Sequence, residues 1–89
     1  MKKPKIKARQ KVYDEEGLSM LASCLKQVRL DQGFTQEELA YQSELTLSQI
    51  ARIETVKTNP TVSTIFKLAR TLNVPVSALF EFKLSNKSK

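Results

Sequence analysis

Histidine is absent from this 89-residue chain, cysteine occurs once and glycine only twice. Each shortage closes off a class of chemistry. Cys24 alone cannot form an internal disulfide, and without histidine or a second thiol there is no plausible zinc site, which points to a reducing compartment. A Ser or Cys nucleophile would have no imidazole base, and Gly17 and Gly33 make no phosphate-cradling loop. No enzyme, metal or cofactor is therefore expected. No run approaches the roughly 18 apolar residues of a membrane span, and the lysine-rich start lacks the apolar segment of a secretory signal. A soluble, cytoplasmic chain without membrane association is expected, of a length that suits one domain with a modest core.

Positive charge is in excess, with 15 Lys and Arg against 9 Asp and Glu, a net +6. Its placement matters more than its sum. Lys2, Lys3, Lys5, Lys7, Arg9 and Lys11 crowd the first eleven residues, and Lys87 and Lys89 lie in the tail. Residues 12–84 are left with seven basic and nine acidic side chains, a net −2. Polyanions remain plausible partners, but a broad electrostatic pull on them must come mainly from the ends.

Apolar residues recur at helical spacing. Leu18, Leu21, Ala22, Leu25 and Val28 form one stripe, which Gly33 would terminate. Thr35 followed by Glu38 has capping-box spacing and opens a second helix, with Leu39 and Ala40 inward, running to about Ser43. Thr46 with Gln49 repeats that spacing, and Ile50 and Ile53 continue the stripe. Thr61 can cap a fourth helix with Ile65, Leu68, Ala69 and Leu72 inside and Asn73 at its end. Pro75 suits the first turn of a brief fifth helix bearing Val76, Leu79 and Phe80. The pattern predicts an all-α, five-helix bundle.

The stretches "RLDQGFTQEELA", "LTLSQIARIE" and "NPTVSTIFKLARTLNVPVSALF" resemble the lambda-repressor and Cro-like, XRE-type helix-turn-helix family across residues 18–82. The resemblance implies a DNA-binding bundle whose third helix enters the major groove while the second lies across the backbone. With Ile50 and Ile53 inward, Leu47, Ser48, Gln49 and Arg52 are the base-reading candidates. Arg52 could fork onto guanine and Leu47 could touch a thymine methyl, although Leu47 packing on helix two is an equal alternative. The helix starts at Thr35, Gln36 and Thr46 are expected to seat phosphates. The family likeness adds Lys57, Thr58 and Asn59 as backbone contacts, and an ion pair between Arg29 and Glu54.

The chain departs from that pattern where Glu44 and Val56 replace frequent glycines. A non-glycine residue at positive φ costs on the order of 1 kcal/mol, so local differences in the turn and loop are expected. Cys24, Lys26, Lys67 and Arg70 are assigned no function. At the ends, "KIKARQKV" and "FEFKL" alternate with a period of two. They could pair as short terminal strands, or residues 1–16 could be a basic arm on DNA, with 17–84 the domain and 85–89 a flexible basic tail. One short helix reads few base pairs, so a homodimer is expected, with Val76, Leu79, Phe80 and Phe82 as its interface. The reading is a dimeric repressor or autoregulator on double-stranded DNA. An antitoxin-like module binding a protein partner, a toxin or polymerase, is the alternative.

Overall fold

A computed structural model describes residues 13–86. They form four α-helices, α1 (Glu15–Asp31), α2 (Gln36–Ser43), α3 (Leu47–Glu54) and α4 (Val62–Leu72), followed by a 3-10 helix, Val76–Phe80. The fifth helix expected from sequence is thus a short 3-10 segment rather than an α-helix. Five residues with no side-chain cap cannot sustain the α-helical bond pattern, and the tighter turn satisfies the same backbone in less length.

Each α-helix starts on a side-chain cap: Asp14, Thr35, Thr46 and Thr61 accept from backbone N–H groups three residues on. Each also ends in the same way. Phe34, Leu45, Lys57 and Val74 donate back five residues to Arg29, Ala40, Arg52 and Ala69, while the residue before each donor bonds three residues back. This paired closure requires a left-handed residue just before the donor. That residue is Gly33 (φ 80°) after α1, Glu44 (64°) after α2, Val56 (60°) after α3 and Asn73 (58°) after α4. The glycine-free turn and loop therefore keep the left-handed backbone, contrary to the local difference expected there. Packing imposes the conformation despite the Cβ penalty, because Leu45 and the helices on either side lie against the shared core.

The core is aliphatic, with Leu25, Leu39, Ile50, Leu68, Leu72 and Leu79 fully buried. Helix α3 packs against α1 and α2, α2 also against α4, and the 3-10 helix closes the far side against α1 and α4. At eight residues, α2 and α3 are too short to hold their shape alone, so their orientation comes from this shared packing.

There is no strand among the described residues. The "FEFKL" segment instead runs back along α1: Phe82 packs on the core, and the Ser85 N–H and hydroxyl donate to the two carboxylate oxygens of Glu16 at 3.1 and 2.7 Å. Its proposed partner "KIKARQKV" lies outside the described residues. Helix α1 begins two residues ahead of the expected domain boundary at 17, and the Ser85 bonds fasten part of the expected tail to it.

Candidate nucleic-acid interface

Helices α2 and α3 are joined through Glu44, Leu45 and Thr46, and the turn is tight because Ser43 is small and buried, its hydroxyl donating to the Leu39 carbonyl at 2.6 Å. Burial of Ile50 and Ile53 orients α3 and turns Leu47, Ser48, Gln49 and Arg52 outward, all four exposed. Leu47 is 43% exposed, so packing against α2 does not consume it.

The start of α3 is closed by a reciprocal box. The Gln49 N–H donates to Thr46 Oγ1 at 3.0 Å, and the Thr46 N–H donates to Gln49 Oε1 at 2.8 Å. The first turn holds no acidic residue, so the partial positive charge of the helix end stays uncancelled there. The start of α2 carries the same box, Thr35 with Glu38 at 3.0 and 2.9 Å, but Glu37 and Glu38 both stand in its first turn.

Arg52, one turn further along α3, donates from Nη2 to the Lys57 carbonyl at 3.3 Å, which draws the guanidinium toward the following loop. A cleft of about 200 Å³ opens there between α3 and the start of α4, lined by Gln49, Arg52, Thr58, Asn59, Thr61 and Thr64 among others. Lys57 and Asn59 are exposed beside it and Thr58 is half-buried. Thr61 and Thr64 are polar additions that the sequence reading did not include. Their signal was present in the cap spacing of α4, but only the approach of the loop to α3 places them beside Arg52.

Behind this surface lies a buried charge pair. Arg29 donates from Nε to Glu54 Oε2 at 2.6 Å and from Nη2 to Oε1 at 3.0 Å, with the two side chains 7% and 3% exposed. The remaining lone pairs and protons are met as well: Arg29 Nη1 donates to the Phe34 carbonyl at 2.9 Å, and Gln36 Nε2 donates to Glu54 Oε1 at 3.0 Å. The network ties the end of α1, the start of α2 and the end of α3 together. Gln36, expected at a phosphate, thus has one amide hydrogen committed to Glu54 and one left over.

The expected dimer surface needs correction. Leu79 is fully buried because the 3-10 turn points it inward, and Phe82, in the segment that follows, is half-buried against the core. Val76 and Phe80 remain exposed, with Phe80 and Phe82 tilted at 48° and 6.2 Å between ring centres. An apolar groove of about 360 Å³ runs past Phe80 between Leu18, Leu21, Phe82 and Leu84, and Val76 lines a separate hollow with Phe66, Ala69 and Val74. Val62 and Phe66, one turn apart on α4, are further exposed apolar residues on that helix, missed because the inward stripe absorbed the reading of it.

Among the described residues no group of His, Cys, Asp or Glu could hold a metal, and no helix is long and apolar enough to cross a membrane. Cys24 is half-buried, and Lys26, Lys67 and Arg70 are exposed on helix faces.

Known proteins are similar to this chain in sequence and fold. A helix-turn-helix family model, HTH_3, matches residues 25–79. The HTH-type transcriptional regulator SutR of Escherichia coli K12 is 37% identical over 57 residues, which span 64% of this chain and 32% of that regulator. The chain thus matches about a third of the curated relative's length. The restriction-modification controller protein C.AhdI from Aeromonas hydrophila superposes with a TM-score of 0.69 at 32% identity, over 71% of this chain and 96% of the controller. The controller C.Esp1396I gives 0.71 at 34% identity, over 76% and 90%.

Proposed function

The chain belongs to the HTH_3 helix-turn-helix family, and from that premise we propose that it is a cytoplasmic, sequence-specific, DNA-binding regulator of transcription that works as a dimer on a partly palindromic operator. Repression by occupying promoter DNA is its mode of action, with activity set by the concentration of the protein.

The observation that carries this reading is the start of α3: an exposed, capped helix end without acid in its first turn, presenting Leu47, Ser48, Gln49 and Arg52. Such an end fits the major groove, where a guanidinium can fork onto guanine O6 and N7 and a leucine can meet a thymine methyl. Thr35, Gln36, Thr46, Lys57, Thr58 and Asn59 flank the reading side chains and are the proposed phosphate contacts, which position the helix without reading sequence. Phe80, beside the apolar groove, and Val76, in a separate hollow with Phe66, are the proposed dimer contacts, and two copies would place their α3 helices about 34 Å apart on one face of the duplex. The double-stranded DNA operator is the one ligand required.

Selection from a random duplex pool at about 150 mM salt, where non-specific phosphate binding is weakened, tests this reading. A two-fold motif with half-sites one helical turn apart is the expected product. Failure to enrich any motif would overturn it in favour of a protein-binding, antitoxin-like role for the same fold.

A further inference from the structure

The alternation of "KIKARQKV" is the one sequence motif that the reading of α3 leaves without a role. With a side-chain period of two, Ile6, Ala8 and Val12 share one side of such a segment, and Lys5, Lys7, Arg9 and Lys11 share the other. One surface of the bundle complements both sides. The groove past Phe80 is lined by Leu18, Leu21, Phe82 and Leu84, and Phe80 and Leu84 expose nearly half of their surface there. Its surroundings are acidic. Asp14 is itself a lining residue, Glu15 and Glu16 follow it on α1, and Glu81 stands exposed between Phe80 and Phe82, with Lys83 the one base among residues 79–84.

We propose that the groove between α1 and residues 80–84 is the docking site of the chain's own residues 5–12, with Ile6, Ala8 and Val12 toward the apolar lining and the basic residues over the acidic rim. Two features favour this occupant over another chain. Val12 is two residues from Asp14 and the chain bends at Tyr13, so bringing the segment to the groove closes almost no loop. Its charge is also opposite to that of the rim, and the long stems of lysine and arginine let a residue on the outer side of the segment set its cation beside a carboxylate. The inference goes beyond the regulator reading and does not depend on it. Its consequence is that positive charge at the N-terminal end is spent partly on the protein itself, which leaves recognition of DNA to α3 and the loop that follows it.

Nuclear Overhauser contacts in the full-length chain, free of DNA, test this directly. Cross-peaks are expected from the Ile6 and Val12 methyls to the Leu18 and Leu84 methyls and the Phe82 ring. An equal mixture of isotope-labelled and unlabelled chains identifies the source of the segment: contacts within one chain support the proposal, and contacts only between chains would overturn it by seating a second copy's segment there. Absence of cross-peaks would overturn it as well. Gly17→Met sharpens the result. Gly17 lines the groove, and a Cβ at that position would lie 3.6 Å from Leu84 Cδ2 and 3.5 Å from Asp14 Oδ1, so the methionine starts without a clash and extends among the lining residues. The variant is expected to lose the Ile6 and Val12 cross-peaks while the core methyl pattern of Leu39, Ile50 and Leu68 stays in place. Cross-peaks that survive Gly17→Met would overturn the placement in the groove, and should the variant fail to fold, the wild-type contacts decide alone.

Discussion

Thr35 with Glu38, and Thr46 with Gln49, build the same reciprocal box at the starts of α2 and α3, with bonds between 2.8 and 3.0 Å in both. The two starts differ in charge. Helix α2 places Glu37 and Glu38 over its own positive end, so its dipole is largely neutralised within the protein. Helix α3 keeps its first turn free of acid and leaves the same field for something outside. A stability criterion alone would favour acid at both starts. Withholding it from α3 leaves a favourable interaction unmade in the free protein and available to a polyanion. On the proposed reading, the difference separates a helix start that leans mainly on its own acid from one held ready for a ligand, although both helices have eight residues and both depend on the same core.

The two starts are mechanically linked through Glu54, at the end of α3, whose carboxylate holds Arg29 of α1 and Gln36 of α2. Breaking that link has the largest effect expected here. Glu54→Ala leaves a buried guanidinium without its partner and should lower the unfolding free energy by about 3 to 5 kcal/mol. Urea denaturation measures this, and an unchanged midpoint would mean that the pair contributes nothing net.

Removing either threonine tests the comparison directly. Thr35→Ala and Thr46→Ala should each cost about 1 kcal/mol, because each deletes one cap acceptor. Their effects on DNA should then diverge, with Thr46→Ala lowering operator affinity well beyond Thr35→Ala when both are compared by fluorescence anisotropy at equal folded fraction. Equal losses would erase the distinction between the helices.

The ends of α3 permit a further test. Glu44 and Val56, on either side of it, hold left-handed backbone without being glycine, while the corresponding closures of α1 and α4 use Gly33 and Asn73, which suit that conformation. Val56→Gly should therefore stabilise the fold by about 1 kcal/mol, raising the melting temperature by about 4 to 8 °C in a domain of this size. A fall in melting temperature would show that the valine side chain contributes more than its backbone costs.

The smallest effect concerns the charge itself. Glu38→Gln gives α2 the neutral box of α3 and should reduce stability by about 0.3 to 1 kcal/mol at low salt, with the loss shrinking as salt rises. Calorimetry across a salt series would detect it. A loss independent of salt would assign the role of Glu38 to hydrogen-bond geometry rather than to charge.

Much of this could be read from residues three or four apart. The caps at Thr35, Thr46 and Thr61, the inward stripe of α4 and the closures at Gly33 and Asn73 are local patterns, and the chain folds locally as they predict. Where the outcome depended on distant partners the sequence was mute. Alternation in "FEFKL" suits a strand, but Phe82 found the core and Ser85 found Glu16, 69 residues away. Leu79 looked available for a partner chain until the 3-10 turn rotated it inward. The Arg29–Glu54 pair was named through family likeness, because residues 25 apart carry no spacing signal of their own, and the added bond from Gln36 had no signal at all.

The sequence by itself determined that this is a small all-α chain with capped helices at nearly fixed boundaries, and which side chains α3 turns outward, because capping and amphipathic burial act within one or two turns. Tertiary structure alone decided the buried network around Glu54, the path of residues 81–86 along α1 and the left-handed backbone at Glu44 and Val56. Each of these trades a local preference, or an equally good local alternative, against burial and hydrogen bonding to residues far along the chain. That balance exists only once the helices have packed.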